Sequence, residues 1–274
     1  MSERTVAPFG RRAARVLERT EHGAYVVLRC ADPDGPVPSA GQFYMLSAAE
    51  RWGGGDGERP FLPRAFSVMR TSAGAGRTPG AELEFVLEDV GPGTQRLCEL
   101  EAGEELLLTG PLGIGFTAPG AGRRALLVGG GVGIAPLAIW QDELGARTRV
   151  LLGFRDAEHA EGAALLSGAV VATDDGSVGH HGLVTELLEA ELDADAGAVV
   201  YACGPPAMLE AVRALCTERS VDAQLALESG MACGFGACFG CVVPTRAGFV
   251  RLCVDGPVLD AAALETAIVA GAGH

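Results

Sequence analysis

Up to about residue 115 the chain alternates between short apolar segments and turn residues. AYVVLRC (24–30), GQFYMLSA (41–48), AFSVMR (65–70) and AELEFVLEDV (81–90) are separated by Gly, Pro and Asp. That rhythm predicts antiparallel strands of a small barrel or sandwich. Two stretches within it, ERWGGGDGERP (50–60) and TSAGAGRTPG (71–80), read as Gly-rich surface loops with no function of their own. From Arg124 the period changes. RALLVGGG, TRVLLGF, GAVVATDD, AVVYACG and VDAQLALES are strands, the last of them closing the sheet, while APLAIWQDELG, GLVTELLEAEL and PPAMLEAVRALCTERS are amphipathic helices between them. Continuous apolar strands alternating with helices predict a parallel sheet covered on both faces, the architecture of a nucleotide-binding domain. Pro205 and Pro206 open the last helix, where a missing N–H costs nothing, and Leu209, Val212 and Leu215 form its core stripe.

The length of 274 residues fits two or three domains. A formal net charge of −14 speaks against nucleic-acid binding and against docking on an anionic membrane. No apolar run is long enough for a membrane span, and the start MSERTVAPFGRRAARV lacks the apolar core of a secretory signal, so the expected location is the cytoplasm. The eight cysteines are then metal or redox candidates rather than disulfide partners.

Three features carry chemistry. The first strand of the second region runs into GGGVGIAP, whose Gly129, Gly131 and Gly133 let a pyrophosphate approach a helix N-terminus. Pro136 replaces the third glycine of the usual dinucleotide fingerprint, and tight strand-to-helix turns use glycine as well. In YACGPPAM, Cys203 and Gly204 end a strand on the edge where open α/β sheets bind ligands, although a buried filler role for Cys203 is an equal reading. The third feature is CGFGACFGC followed by VRLCVDGP, which gives Cys233, Cys238, Cys241 and Cys253 at C-x4-C-x2-C-x11-C. Structural zinc sites use two separated knuckles, whereas this is the plant-type 2Fe-2S spacing. Gly234, Gly236, Ala237 and Gly240 are small enough for backbone N–H groups to reach the sulfurs. Cys30, Cys98 and Cys216 have no ligand-like neighbours and read as core.

Taken in order, PRAFSV, VGPGT, GPLGIGF, GGGVGIAP, DDGSVGHHG, ACGPPAML, LESGMACGFGACFGC and CVDGPVLD resemble the electron-transfer subunits of B-type dihydroorotate dehydrogenases, a branch of the ferredoxin-NADP reductase superfamily. The resemblance covers nearly the whole chain. It implies an FAD-binding antiparallel β-barrel over 1–116, an NAD-binding α/β domain over 117–224 and a small 2Fe-2S domain over 225–274. In PRAFSV it implies that Arg64 pairs with the FAD pyrophosphate and that Ser67 bonds the reactive edge of the isoalloxazine, with Ala65 and Phe66 completing the motif. In VGPGT the resemblance implies a second flavin-phosphate turn at Gly93 and Thr94, with Val86, Leu87 and Glu88 beside the cofactor. Ser67 and Cys203 are the catalytic candidates.

The chain departs from the family pattern at Ala65, where Pro is usual, at Glu88, where a basic residue is usual, and at Ile114, where Asn is common. The implied partner is a catalytic dihydroorotate dehydrogenase subunit carrying FMN, in a heterotetramer that serves pyrimidine biosynthesis. Electrons pass from it through the cluster and FAD to NAD+, the flavin converting between single electrons and hydride. After the second strand of the sheet, GFRD places Arg155 to pair with a 2'-phosphate and Asp156 to repel one and bond ribose hydroxyls, which favours NAD. Phe235, Met231 and Phe239 are expected to be exposed near an electron exit. Two alternatives stand beside this reading: a stand-alone NAD(P)H reductase for a ferredoxin, oxygenase or other acceptor, and a zinc-binding scaffold on a degenerate reductase fold.

Overall fold

The computed structural model describes residues 10–53, 60–72, 82–195 and 197–269. Most of each Gly-rich stretch in the first region, 54–59 and 73–81, lies outside the described residues. The first region is a seven-stranded sheet built from β1 (Arg12–His22), β2 (Tyr25–Ala31), β3 (Phe43–Ala48), β4 (Arg64–Ser67), β5 (Arg70–Thr71), β6 (Glu82–Glu88) and β7 (Glu105–Leu112), in the order β4-β3-β7-β1-β2-β6-β5. All its pairings are antiparallel. The two outer strands, β4 and β5, are separated in sequence only by Val68 and Met69. The Val68 N–H bonds Gln42 O and the Met69 N–H bonds Glu84 O, so the sheet must curl until its edges meet. The single segment AFSVMR is therefore two strands, each paired with a different neighbour. Closure leaves few free edges and encloses a core in which Tyr44 and Phe85 meet edge to face at 5.4 Å. Helix α1 (Pro92–Cys98) follows β6 and presents Leu97 and Cys98 to that core.

The second region places β8 (Ala125–Gly130), β9 (Thr148–Phe154), β10 (Val170–Thr173), β11 (His180–His181), β12 (Val199–Cys203) and β13 (Ala223–Ala226) in one sheet, ordered β11-β10-β9-β8-β12-β13 and parallel throughout. The helices are α2 (Ala135–Leu144), α3 (Ala157–Ala160), α4 (Val184–Ala194) and α5 (Pro206–Glu218). Every residue of β8 and β12 is buried, as their unbroken apolar sequence requires when both sheet faces are covered. Strand order reverses between β8 and β12, so their carboxyl ends frame a crevice. Pro206 opens α5 as expected, but its buried stripe is Leu209, Val212 and Cys216. Leu215 sits at the margin, because two successive steps of three residues drift around a helix of 3.6 per turn.

The C-terminal segment contributes the hairpin β14 (Val242–Thr245) and β15 (Gly248–Arg251), the short helix α6 (Leu252–Asp255), and β16 (Val258–Asp260). Strand β16 pairs antiparallel with β13. The segment VDAQLALES is thus not the last strand of its sheet, and the sheet ends in an antiparallel edge lent by the C-terminal domain. A three-residue strand carries too little periodicity to be read in sequence. The Ile114 N–H bonds Gly256 O at 2.5 Å, so this departure from the family pattern lies where the barrel meets the C-terminal domain.

Candidate functional site

All three domains line one cavity of about 440 Å³. The barrel supplies Phe43, Arg64, Ala65, Phe66, Ser67, Val86, Glu88 and Thr94. The nucleotide-binding domain adds Gly133, Pro136 and Cys203, and Glu228, Met231 and Pro257 come from the C-terminal side. The structure therefore gathers about half of the candidate residues singled out in sequence around one space. Gly93 stands just behind it: a Cβ there would fall 2.7 Å from three atoms of the Arg64 guanidinium. Among the described residues the Arg64 guanidinium bonds the Leu62 carbonyl oxygen, at 2.6 Å, and no carboxylate pairs with it. A planar guanidinium at a cavity wall suits a phosphate group, whose two oxygens its fork can bond at once. Thr94 lines the cavity, but its hydroxyl closes the turn, accepting from the Val90 N–H and donating to Gly91 O, both at 2.9 Å. Leu87 is turned into the barrel core. Ser229, on the far wall, has a buried hydroxyl with no partner among the described residues. The Arg64 guanidinium and the Ser229 hydroxyl at the cavity wall fit a polar, phosphate-bearing cofactor.

Gly129, Gly131 and Gly133 sit where β8 gives way to a turn of 3-10 helix and then to α2. A Cβ on Gly133 would lie 2.5 Å from Cys203 O and 2.6 Å from Gly204 N, so the glycine loop and the β12 turn touch backbone to backbone. A Cβ on Gly204 would meet Met208 and Gly130. The Cys203 thiol is buried, and burial raises it far above its ordinary range, with the Glu228 carboxylate adding to the effect. Burial raises the Glu228 carboxyl as well. Glu228 was missed as a site residue. The signal available in sequence was its place just beyond β13, on the same carboxyl edge as Cys203.

Asp156 caps α3 and receives the His159 N–H at 3.0 Å, with His159 Nδ1 at 2.6 Å, and it is not part of the cavity wall. Hydrogen bonds from His159 hold its carboxyl below the usual range. Arg155 donates to Glu88 Oε1 at 2.6 Å, joining the barrel to the nucleotide-binding domain. The acidic residue at position 88, unusual for the resembled family, thus has a cationic partner in this chain.

The four cysteines of the C-terminal loop converge. Cys241 and Cys253 Sγ are 3.2 Å apart, the Cys238 N–H approaches Cys233 Sγ at 3.4 Å, and the Gly240 N–H approaches Cys238 Sγ at 3.4 Å. Burial alone would raise the Cys233 thiol, but N–H groups of Cys238, Phe235 and Ala237 outweigh it and bring it down to about 6. Burial and contact with Cys241 push Cys253 up to about 12. Among the described residues no three His, Cys, Asp or Glu side chains surround one point as a single metal ion would require. Cys241 and Cys253 form a close sulfur pair, and the C-x4-C-x2-C-x11-C set of four thiols suits a two-iron cluster. Gly234 and Gly236 have φ of 77° and 87°, and a Cβ on them would strike Met45 of the barrel and Val254, respectively. The loop therefore lies directly on the flavin barrel. Phe235 and Phe239 are 52% and 62% exposed, as expected, but Met231 is half-buried and faces the cavity.

A family profile described as the iron-sulfur cluster binding domain of dihydroorotate dehydrogenase B matches residues 228–265. Over 257 residues, 89% of this chain and 94% of the relative, the sequence is 35% identical to the dihydroorotate dehydrogenase B (NAD(+)) electron transfer subunit of Caldanaerobacter subterraneus subsp. tengcongensis. The chain belongs to this family. The Bacillus caldolyticus electron transfer subunit is 39% identical over 214 residues, 74% of this chain and 79% of its own. Among solved structures, an NADH-dependent reduced ferredoxin-NADP oxidoreductase superposes with a TM-score of 0.76 at 23% identity, covering 94% of this chain and 92% of that one. An Amycolatopsis cytochrome P450 reductase gives 0.58 at 26% identity, covering 79% and 68%. These neighbours share the ferredoxin reductase fold, and the family is an iron-sulfur oxidoreductase that acts as one subunit of a larger enzyme. Among the described residues no helix is long and apolar enough to cross a membrane.

Proposed function

We propose that the chain carries electrons from a catalytic dihydroorotate dehydrogenase subunit with its own FMN to NAD+, the two kinds of subunit assembling as a heterotetramer. The observation that carries this reading is the shared wall: Met231 and Pro257, which flank the cysteine cluster in sequence, line the same cavity as Arg64, Ser67 and Cys203. FAD in that cavity supplies hydride exchange with a nicotinamide and single-electron exchange with a 2Fe-2S group. Arg64 binds its pyrophosphate from beside Gly93, Ala65 and Phe66 carry the strand along its edge, and Ser67 bonds the reactive ring. Val86, Leu87 and Glu88 form the strand beneath it, Leu87 through its backbone. Gly129, Gly131 and Gly133, with Pro136, receive the nucleotide diphosphate, and Cys203 and Gly204 close the crevice beside the nicotinamide. Asp156 stands at the carboxyl edge of β9 as the group that disfavours a 2'-phosphate. Cys233, Cys238, Cys241 and Cys253 hold the cluster.

The domains accordingly divide near 116 and 224, with β16 crossing back into the central sheet. The reading places the protein in the cytoplasm, which its eight cysteines, none in a disulfide, support. The test is reconstitution. The chain alone should reduce ferricyanide with NADH and leave dihydroorotate untouched, and adding the catalytic subunit should produce NADH from dihydroorotate and NAD+. Unchanged activity on mixing would favour a stand-alone reductase for another acceptor.

A further inference from the structure

Arg64 is held in an unusual way for a residue meant to meet an anion. Its guanidinium carbon lies 5.9 Å from the centre of the Trp52 ring, within the range of a cation–π contact. Three atoms of its planar group lie equally close, at 2.7 Å, to the place a Cβ would occupy on Gly93, so that plane faces the glycine backbone. Ala65, next in sequence, does not fix φ as a proline would, and the side-chain contacts must supply the rigidity. Trp52 is itself anchored. It packs against the barrel core, the Gly53 N–H bonds Pro60 O at 2.7 Å, and among the described residues its buried indole N–H has no partner.

We propose that Trp52 is a positioning residue for the cofactor's phosphates: its ring holds the Arg64 guanidinium in the orientation that meets a pyrophosphate. The proposal rests on the reading of the cavity as a flavin-dinucleotide site. It makes Trp52 matter for FAD and not for a flavin that lacks phosphate. An arginine free to rotate would lose rotamer entropy on binding, while one already held by an indole and a glycine has lost it in advance.

The test uses the full chain, stripped of flavin and titrated with FAD and separately with riboflavin, read by flavin fluorescence. Trp52→Leu keeps an apolar group on the barrel core while removing the aromatic face, Trp52→Phe keeps a face, and Arg64→Ala removes the cation. FAD affinity should fall about tenfold in Trp52→Leu, equivalent to about 1.4 kcal/mol. Riboflavin affinity should stay within about twofold of the wild type, and Trp52→Phe should recover most of the loss. In the Arg64→Ala background Trp52→Leu should cost little more, because the two residues act as one unit. Equal weakening of FAD and riboflavin would show a packing role only and overturn the proposal, as would wild-type FAD affinity in Trp52→Leu or full additivity with Arg64→Ala. A wild-type chain with no preference for FAD over riboflavin would instead remove the dinucleotide reading of the cavity, and this inference with it.

Discussion

Gly133→Ala tests how the nucleotide crevice is built. A Cβ at this position would lie 2.5 Å from Cys203 O, 2.6 Å from the Cys203 carbonyl carbon and 2.6 Å from Gly204 N. Ordinary contacts begin near 3.5 Å, so roughly 1 Å must be found. All three atoms are backbone, and no side chain can swing aside to provide it. Gly133 is not in the left-handed region, so alanine's own backbone preference is not the obstacle. The loop after β8 and the turn after β12 must move apart, which opens the crevice at the point where strand order reverses. Overpacking of this kind costs about 1–3 kcal/mol, or roughly 3–10 °C in melting temperature for a chain of this size. A displacement of roughly 1 Å at Cys203 should also lower NADH–ferricyanide kcat/KM by up to about a hundredfold. FAD content, read by absorbance, should change little, because the flavin contacts lie on the barrel. Gly120→Ala is the control, since its Cβ would meet only Arg123 Cδ, at 3.8 Å. A Gly133→Ala protein with wild-type melting temperature and wild-type kcat/KM would refute the reasoning.

Serine at Cys233, Cys238, Cys241 or Cys253 should lower iron and acid-labile sulfide from about two each per chain while FAD stays bound, and Cys216→Ser should change neither; full iron content in the Cys253 variant would show that ligand misassigned. Burial raises the Glu228 carboxyl in the folded chain, so its ionised form works against folding: stability is greatest below about pH 4, where the unfolded chain is protonated too, and declines as pH rises toward the folded value. Glu228→Gln should therefore raise the melting temperature at pH 7–8 and lose that advantage below about pH 4, whereas a pH-independent effect would contradict the assignment. Phe235→Glu and Phe249→Glu, at positions 52% and 79% exposed around the cluster, should weaken association with the catalytic subunit in sedimentation while NADH–ferricyanide turnover stays within about twofold.

The parts of the fold that repeat a period were legible in the sequence. The apolar runs of β8, β9 and β12 could only be buried parallel strands, and the amphipathic spacing of α5 placed Leu209 and Val212 inward. Elements set by tertiary contact were not legible. The break between β4 and β5 depends on Val68 and Met69 bonding different strands, and β16 exists because three residues of the C-terminal domain reach β13. The site shows the same division. Motif residues such as Arg64, Ser67 and Cys203 stand out in short stretches of sequence, and all three line the one cavity. Glu228 carries no motif beyond its place at the carboxyl edge after β13, and its burial beside Cys203 is what marks it out. Trp52 was passed over as part of a Gly-rich loop, because its contact with Arg64 crosses from one segment to another.

The central claim is that the cluster loop is the link between the partner and the cavity, and Cys238→Ser examines it most directly. Cys238 is the exposed member of the four, so its replacement disturbs the core least. The variant should be measured in two assays with the catalytic subunit present and its association confirmed by sedimentation. NADH–ferricyanide activity should remain within about twofold of the wild type, while dihydroorotate-dependent formation of NADH should be lost. A cluster-depleted variant that still binds the catalytic subunit and still forms NADH from dihydroorotate at the wild-type rate would contradict the account.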